Sequence, residues 1–385
     1  ENNYKDFLVK ITHRKKILVV FGTRPEAIKM APVIQELLYK MEVIVCVTAQ
    51  HRELLDQVLN LFEIIPDFDL DIMKPKQDLF DVTSNVLLGM KKILYRIRPD
   101  LVLVHGDTTT AMTASIAAFY LQIPIGQVEA GLRTHNLKSP FPEEFNRQLV
   151  TKLAEFHFAP TNKAKQNLVS ENVSEKNIYV TGNTVIDSLF SVIDQAKAMN
   201  FSKDFISKVP FMTSVSKLPR IILVTGHRRE NFGKGFEEIC LALQSIAIQN
   251  PEVKIVYPVH LNPNVQEPVN RILSGVENVH LVDPLDYLSF VKLMDASYII
   301  LTDSGGIQEE APSLGKPVIL MRDSTERPEA VKAKTVKLVG SNKEKIVGSV
   351  NFLLNNDLEY TKMSKAHNPY GDGKASMRIC KALER

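Results

Sequence analysis

The chain is expected to fold as an α/β protein with two doubly wound parallel-sheet domains in tandem, and three observations carry that expectation. Its 385 residues, 44% of them hydrophobic, exceed what a single core usually supports. Short apolar runs of strand length alternate with longer stretches of helical spacing along nearly the whole chain. The alternation starts twice, at Ile17 and again at Ile221, with a connection containing Ser, Lys and Pro inside residues 187–217. This pattern places Rossmann-like domains at 14–186 and 187–367.

Taken in order, residues 17–21, 42–48, 101–105, 125–129, 156–160 and 178–181 read as the buried strands of the first sheet. Residues 111–128 are uncharged and long enough to raise the question of a membrane span. Gln122, Ile123 and Pro124 break that run into a helix followed by a strand. Residues 221–225, 254–258, 279–282, 298–301, 318–321 and 335–338 form the second set. Parallel sheets of this kind present their loops at the carboxyl ends of the strands, and tandem sheets are expected to enclose a cleft there. Residues 1–13 are polar and mixed, and are read as an extension outside the fold. Residues 375–383 form a last helix to which the pattern assigns no packing site.

Composition narrows the function. Lys plus Arg number 47 against 44 Asp plus Glu, a net charge of +3, and no basic stripe interleaved with aromatics appears. A nucleic-acid partner is disfavoured. Cys46, Cys240 and Cys380 are far apart with apolar neighbours, as expected of buried thiols in a reducing compartment. No signal peptide opens the chain, so a cytoplasmic enzyme without a membrane partner is expected. No G-x-G-x-x-G follows a strand, and neither a Walker lysine motif nor Cys/His metal spacing occurs. Neither a nicotinamide, another cofactor nor a metal is expected.

The richest junction is TDSGGIQEEAPSLGKP, residues 302–317, directly after an apolar strand. Ser304, Gly305 and Gly306 make a turn with bare backbone N–H groups at the positive end of a helix, suited to phosphate. Glu309 or Glu310, one turn in, suits ribose hydroxyls. A glycine-rich connection with acids placed for the helix dipole is the plain structural alternative. FGTRPEAIKMAP, residues 21–32, puts Arg24 and Lys29 near a strand end, as cations for a diphosphate or as solvated helix ends.

Three acids follow. In HGDTTTA, Asp107 or Thr108 suits a helix cap. In VEAGLRT, Glu129 leaves a strand too apolar to hide an unpaired carboxylate, with Arg133 as one available partner. In SPFPEEFNR, Glu143 and Glu144 start a helix after Pro142. Delivered by successive connections to one sheet edge, Asp107, Glu129 and Glu143 read as a proton-transfer cluster. TGHRREN brings His227 with Arg228 and Arg229 to a strand end, where negative charge could develop on a departing phosphate. His260 falls in a proline-rich loop containing Pro268 and is assigned a structural role on spacing alone. DSTERPEA offers Arg327 with Glu326 and Glu329.

Together with GNTVID, YPVHLNPNV, TERPEAV and NPYGDG, these motifs resemble the non-hydrolysing UDP-N-acetylglucosamine 2-epimerase family over nearly the whole chain from Ile17. The resemblance implies a GT-B-like pair of domains, a homodimer, and a C-terminal helix, residues 368–385, returning to the first domain. It implies interconversion of UDP-N-acetylglucosamine and UDP-N-acetylmannosamine by anti elimination of UDP to a 2-acetamidoglucal and re-addition. Asp107, Glu129 and Glu143 match the family's catalytic acids, and His227 its histidine beside the leaving phosphate. By the same matching, Arg24, Lys29, Ser304, Gly305 and Gly306 hold the diphosphate, Glu310 the ribose and Phe290 the uracil region, with Arg327 at the edge. A second substrate site would use Gln50, Glu53, Lys76, Arg228 and His260, although Glu53 and Lys76 depart from the Gln and Arg of some regulated members. Lys334 stands where the family commonly has Gly. A UDP-sugar glycosyltransferase, a hydrolysing epimerase and a non-catalytic nucleotide-sugar sensor are the competing readings.

Overall fold

The computed structural model describes residues 14–48, 52–74, 77–213 and 218–385. The chain divides into two compact units, one running to Ser188 and including Tyr370–Arg385, the other Leu189–Pro369. Residues 1–13 and part of the proposed connection, 214–217, lie outside the described residues. The stretch opens as a helix, as its spacing suggests: residues 187–198 belong to the helix Thr184–Ala198, whose apolar positions Val185, Ile186, Leu189 and Val192 are buried.

Among the described residues, unit 1 holds seven parallel strands: β1 Lys16–Phe21, β2 Glu42–Val47, β3 Phe68–Asp69, β4 Leu101–His105, β5 Ile125–Val128, β6 Phe156–Ala159 and β7 Ile178–Val180. Their order is β3-β2-β1-β4-β5-β6-β7, so the direction of winding reverses between β1 and β4. The sequence reading misses β3 because two residues carry no periodicity. Leu18, Val20, Val102 and Val104 on one sheet face pack with Val86, Met90 and Leu94 of the helix Leu79–Ile97. The suspected membrane run divides into the helix Thr109–Tyr120 and β5, and among the described residues no helix is long and apolar enough to cross a membrane. Cys46, Cys240 and Cys380 are free and buried, and burial pushes the Cys46 and Cys240 thiols up to about 12.

The C-terminal helix Ala375–Leu383 packs on the helix Arg24–Leu38 within the same unit. Lys15 Nζ donates to Leu383 O at 3.2 Å, and both carboxylate oxygens of Asp187 accept backbone N–H groups of Ala375 and Ser376, at 3.2 and 2.8 Å. Sequence pattern alone could not place this helix, because its partner lies about 350 residues earlier in the chain.

Among the described residues, unit 2 holds six parallel strands: β8 Ile221–Thr225, β9 Lys254–Pro258, β10 Val279–Val282, β11 Ile299–Thr302, β12 Val318–Leu320 and β13 Val336–Leu338. The order β10-β9-β8-β11-β12-β13 puts its reversal between β8 and β11. Its core joins Ile222, Val224, Ile299 and Leu301 to Phe236, Leu243 and Ile346. Pro263 and Pro268 do not stiffen a loop. They lie in the helix Pro263–Leu273, the first at its start, where a missing N–H costs nothing.

Candidate active site

In unit 1 the loops bearing the candidate residues leave β1, β4 and β5 at their carboxyl ends, around the point where the winding reverses. Glu26, almost fully buried, ties two of these loops together. It accepts from the N–H groups of Gly22 and Thr23 at 3.0 and 2.8 Å and from Thr108 Oγ1 at 2.7 Å. Burial pushes its carboxyl up, and these hydrogen bonds pull it back only in part. Arg24 stands half-buried at the first position of the helix that follows β1.

The helix cap after β4 is Thr108, whose Oγ1 accepts from Ala111 N at 3.0 Å, so Asp107 is not spent on capping. The Asp107 carboxylate instead receives the guanidinium of Arg147, which also reaches buried Glu144 at 3.2 Å. Glu144 takes the backbone N–H groups of Thr134 and His135 at 3.0 Å each. These bonds lock the helix Glu143–Leu153 to the β4 loop and hold half-buried Glu143, its first residue, in the positive end of the helix field.

Glu129 follows β5 with φ 61°, a left-handed conformation that an ordinary L residue adopts at a cost. Arg133 is not its partner: that buried guanidinium binds Glu171 at 2.6 and 2.8 Å. Glu129 Oε2 accepts from Lys29 Nζ and from Asn183 Nδ2, the latter at 2.6 Å, and His105 Nε2 lies 3.9 Å away. The other oxygen faces Gly106, where a Cβ would stand 3.7 Å from it. Asp107 and Glu129 thus follow two adjacent parallel strands, β4 and β5. Lys29, read from sequence as a phosphate cation, is placed against a carboxylate.

In unit 2 the loops at the reversal between β8 and β11 hold His227 and the Ser304–Gly305–Gly306 turn. Asp303, fully buried, accepts from the backbone N–H groups of His227 and Arg228 through Oδ2, both at 2.9 Å. Its Oδ1 lies 3.8 Å from His227 Nδ1. The His227 side chain is 42% exposed and stacks on His260, with ring centroids 5.2 Å apart. Burial of its inner edge lowers the His227 pKa; Asp303 pulls it up again, and His260 and Arg228 push it down. His260 also accepts Asn262 N at 3.1 Å through Nδ1.

Ser304 N donates to Thr302 Oγ1 at 2.9 Å, which shapes the turn into the helix Ile307–Ser313. Gly305 lies close against Arg327: a Cβ there would meet Arg327 Nη1 at 2.7 Å. Arg327 is buried between Glu309 and Glu326. Burial alone would raise Glu326, yet Arg327 and Arg322 hold it down to about 2. Of the two acids in the first turn, Glu309 is thus committed to Arg327. Glu310 Oε1 accepts from Tyr287 Oη at 2.8 Å, and half-buried Phe290 lies one turn along the same helix, Tyr287–Ala296. Gln50 and Lys76 lie outside the described residues, and Glu53 falls in the helix Arg52–Leu61.

Sequence reasoning passed over Arg147, Asn183, Asp303 and Tyr287. The first three lie inside motifs it had singled out, FPEEFNR, GNTVID and TDSGG, but nothing in spacing tells which carboxylate or ring each one meets.

Two parallel-sheet units with their polar loops at the reversal points define an α/β protein of the GT-B-like class. Residues 36–384 match the family described as UDP-N-acetylglucosamine 2-epimerase. The UDP-N-acetylglucosamine 2-epimerase of Escherichia coli (strain K12) is 59% identical over 372 residues, covering 96% of this chain and 98% of that protein. The structure of UDP-GlcNAc 2-epimerase from Neisseria meningitidis bound to UDP-GlcNAc superposes with a TM-score of 0.90 at 53% identity, over 96% of this chain and 99% of that one. The UDP-GlcNAc 2-epimerase of Methanocaldococcus jannaschii, in complex with UDP-GlcNAc and UDP, gives 0.81 at 32% identity over the same shares. This chain belongs to the UDP-N-acetylglucosamine 2-epimerase family.

Proposed function

We propose that the protein is a non-hydrolysing UDP-N-acetylglucosamine 2-epimerase, acting as a cytoplasmic homodimer and forming UDP-N-acetylmannosamine for surface polysaccharide synthesis. The observation that supports this reading is that Asp107 and Glu129 follow the carboxyl ends of two adjacent parallel strands, β4 and β5, in a chain that matches the family over residues 36–384. A UDP-sugar glycosyltransferase has no use for two carboxylates held this way. Exposed Phe80, Leu88, Phe119 and Tyr120 on unit 1 helices supply apolar surface that a second copy would cover.

The sugar's second carbon has no adjacent carbonyl, so its proton cannot be removed directly. Elimination solves the problem. A carboxylate takes the C2 proton, the bond from C1 to the phosphate oxygen breaks with its electron pair going to UDP, and a C1–C2 double bond forms. A second acid then delivers a proton to the opposite face of C2 while UDP re-adds at C1, so atoms and charge balance with no net redox change. Asp107, Glu129 and Glu143 supply the acid–base groups. His227, steadied by buried Asp303, faces the leaving phosphate. In unit 1 Arg24 is the cation for the diphosphate, while Lys29 bears on Glu129; in unit 2 the Ser304–Gly306 turn grips phosphate, with Arg327 supporting the turn. Glu310, oriented by Tyr287, binds the ribose, and Phe290 contacts the uracil. A regulatory second substrate would contact Arg228 and His260, whose ring stacks on His227.

Incubation with UDP-N-acetylglucosamine alone in heavy water tests the reading. Mass spectrometry should find UDP-N-acetylmannosamine and, at equilibrium, one deuterium at C2 of both sugars. No deuterium gain would reject elimination, while free N-acetylmannosamine with stoichiometric UDP would mean a hydrolysing enzyme.

A further inference from the structure

Two motifs have no part in the chemistry above: GNTVID, which begins at Gly182, and NPYGDG, which begins at Asn368. In unit 1 the structure brings them together. Gly182 and Gly371 meet so closely that a Cβ on Gly182 would lie 3.3 Å from Gly371 Cα, and both have positive φ, 89° and 133°. Only glycine satisfies both demands at once. Asn183 N donates to Tyr370 O at 2.6 Å, Arg378 Nη1 to Thr181 O at 2.9 Å, and Asp187 caps the helix Ala375–Leu383 through two backbone N–H groups. Tyr370 itself is fully buried. The loop between β7 and the helix Thr184–Ala198 is thereby held from its C-terminal side by a segment nearly 190 residues later.

The loop carries one side chain toward the carboxylate cluster. Asn183 is buried, its Oδ1 accepts Val185 N at 3.2 Å, and its Nδ2 therefore points one way only, into Glu129 Oε2 at 2.6 Å. That oxygen belongs to a residue in a left-handed backbone conformation, which persists only where the surroundings over-determine it. The groups facing Glu129 include Lys29 from the helix after β1, His105 from the end of β4, and Asn183. Lys29 supplies charge on a flexible stem. Asn183 supplies a fixed direction, because its own backbone is pinned by Tyr370.

We infer that Asn183 is a positioning residue for Glu129, and that the C-terminal segment 370–378 contributes to epimerisation by holding Asn183 in place. The inference rests on the catalytic assignment of Glu129 made above. A misplacement of about 1 Å at a proton-transfer group can cost about a hundredfold in rate, so a tail remote in sequence can govern turnover without touching substrate.

The test uses the full chain. Asn183→Ala should lower kcat about tenfold to a hundredfold with KM and UDP affinity changed less than about threefold. Asn183→Asp keeps the size of the side chain and its contact with Val185 N. It sets a second carboxylate against Glu129, so the acid limb of the kcat profile should move to higher pH; a merely structural residue would not move it. Arg378→Ala should lower kcat in the wild type but add little to Asn183→Ala, the signature of two residues acting through one contact. Wild-type kcat in both Asn183 variants, beside an inactive Glu129→Gln, would overturn the inference and leave Glu129 catalytic. Full activity in Glu129→Gln would instead remove the underlying assignment. Additive losses in the Arg378 and Asn183 pair would overturn the role of the tail.

Discussion

Lys334 allows a prediction whose magnitude follows from backbone geometry. The helix Pro328–Lys332 ends in a Schellman arrangement: Lys334 N donates to Val331 O and Thr335 N to Ala330 O, both at 3.1 Å. The residue after the cap must then be left-handed, and Lys334 is, with φ 61°. Its side chain is exposed, so replacing it removes no core packing. The left-handed conformation costs a residue with a Cβ roughly 1–2 kcal/mol. Glycine escapes that cost but gives back about 0.5–1 kcal/mol through the freedom of its unfolded chain. Lys334→Gly should therefore stabilise unit 2 by about 0.5–1 kcal/mol, which for a unit spanning Leu189–Pro369 is about 1–4 °C in Tm. Calorimetry of the full chain, following the transition assigned to unit 2, measures it. Lys334→Ala is the control: it keeps the Cβ and should gain nothing. A Gly variant no more stable than wild type, or an Ala variant that gains equally, would refute strain as the operative term.

Two further outcomes bear on the chemistry. Asp107→Asn and Glu143→Gln should each cut turnover by about two orders of magnitude while UDP binding, followed by calorimetry, persists; near-normal rates in both would dissolve the proposed cluster. Asp303→Asn preserves side-chain size but removes the charge that raises the His227 pKa against burial, His260 and Arg228. The protonated form of His227 is then lost at lower pH, so the alkaline limb of the kcat/KM profile should shift to lower pH; an unmoved limb would mean that Asp303 only shapes the loop.

Much of this architecture was legible in the sequence because parallel strands buried on both faces must be continuously apolar, and the helices between them must be amphipathic. All twelve expected strands overlap their observed counterparts by three residues or more. The one strand missed, Phe68–Asp69, is held by pairing with Cys46 and Val47, a long-range interaction without a local signature. The motif-bearing loops were legible for a related reason. Glycine turns, helix starts and strand ends are local events, and they confine Asp107, Glu129, His227 and Ser304 to the carboxyl edges of their sheets.

What the sequence could not decide is which charges meet. Arg133, four residues from Glu129, was the natural partner by proximity, yet it turns to Glu171, and Glu129 is held by Lys29 and Asn183 from 100 and 54 positions away. Asp107 and Thr108 were equal candidates for the helix cap; Thr108 takes that place, and Arg147 comes 40 residues back to the Asp107 carboxylate. Glu309 and Glu310 are equivalent on paper; burial beside Arg327 commits one, and Tyr287 orients the other. The physical reason is common to all of these. Apolar periodicity is written residue by residue, whereas a buried ionic group is stabilised by whichever partner the crossing of distant strands delivers to it, and that delivery exists only once the chain has folded.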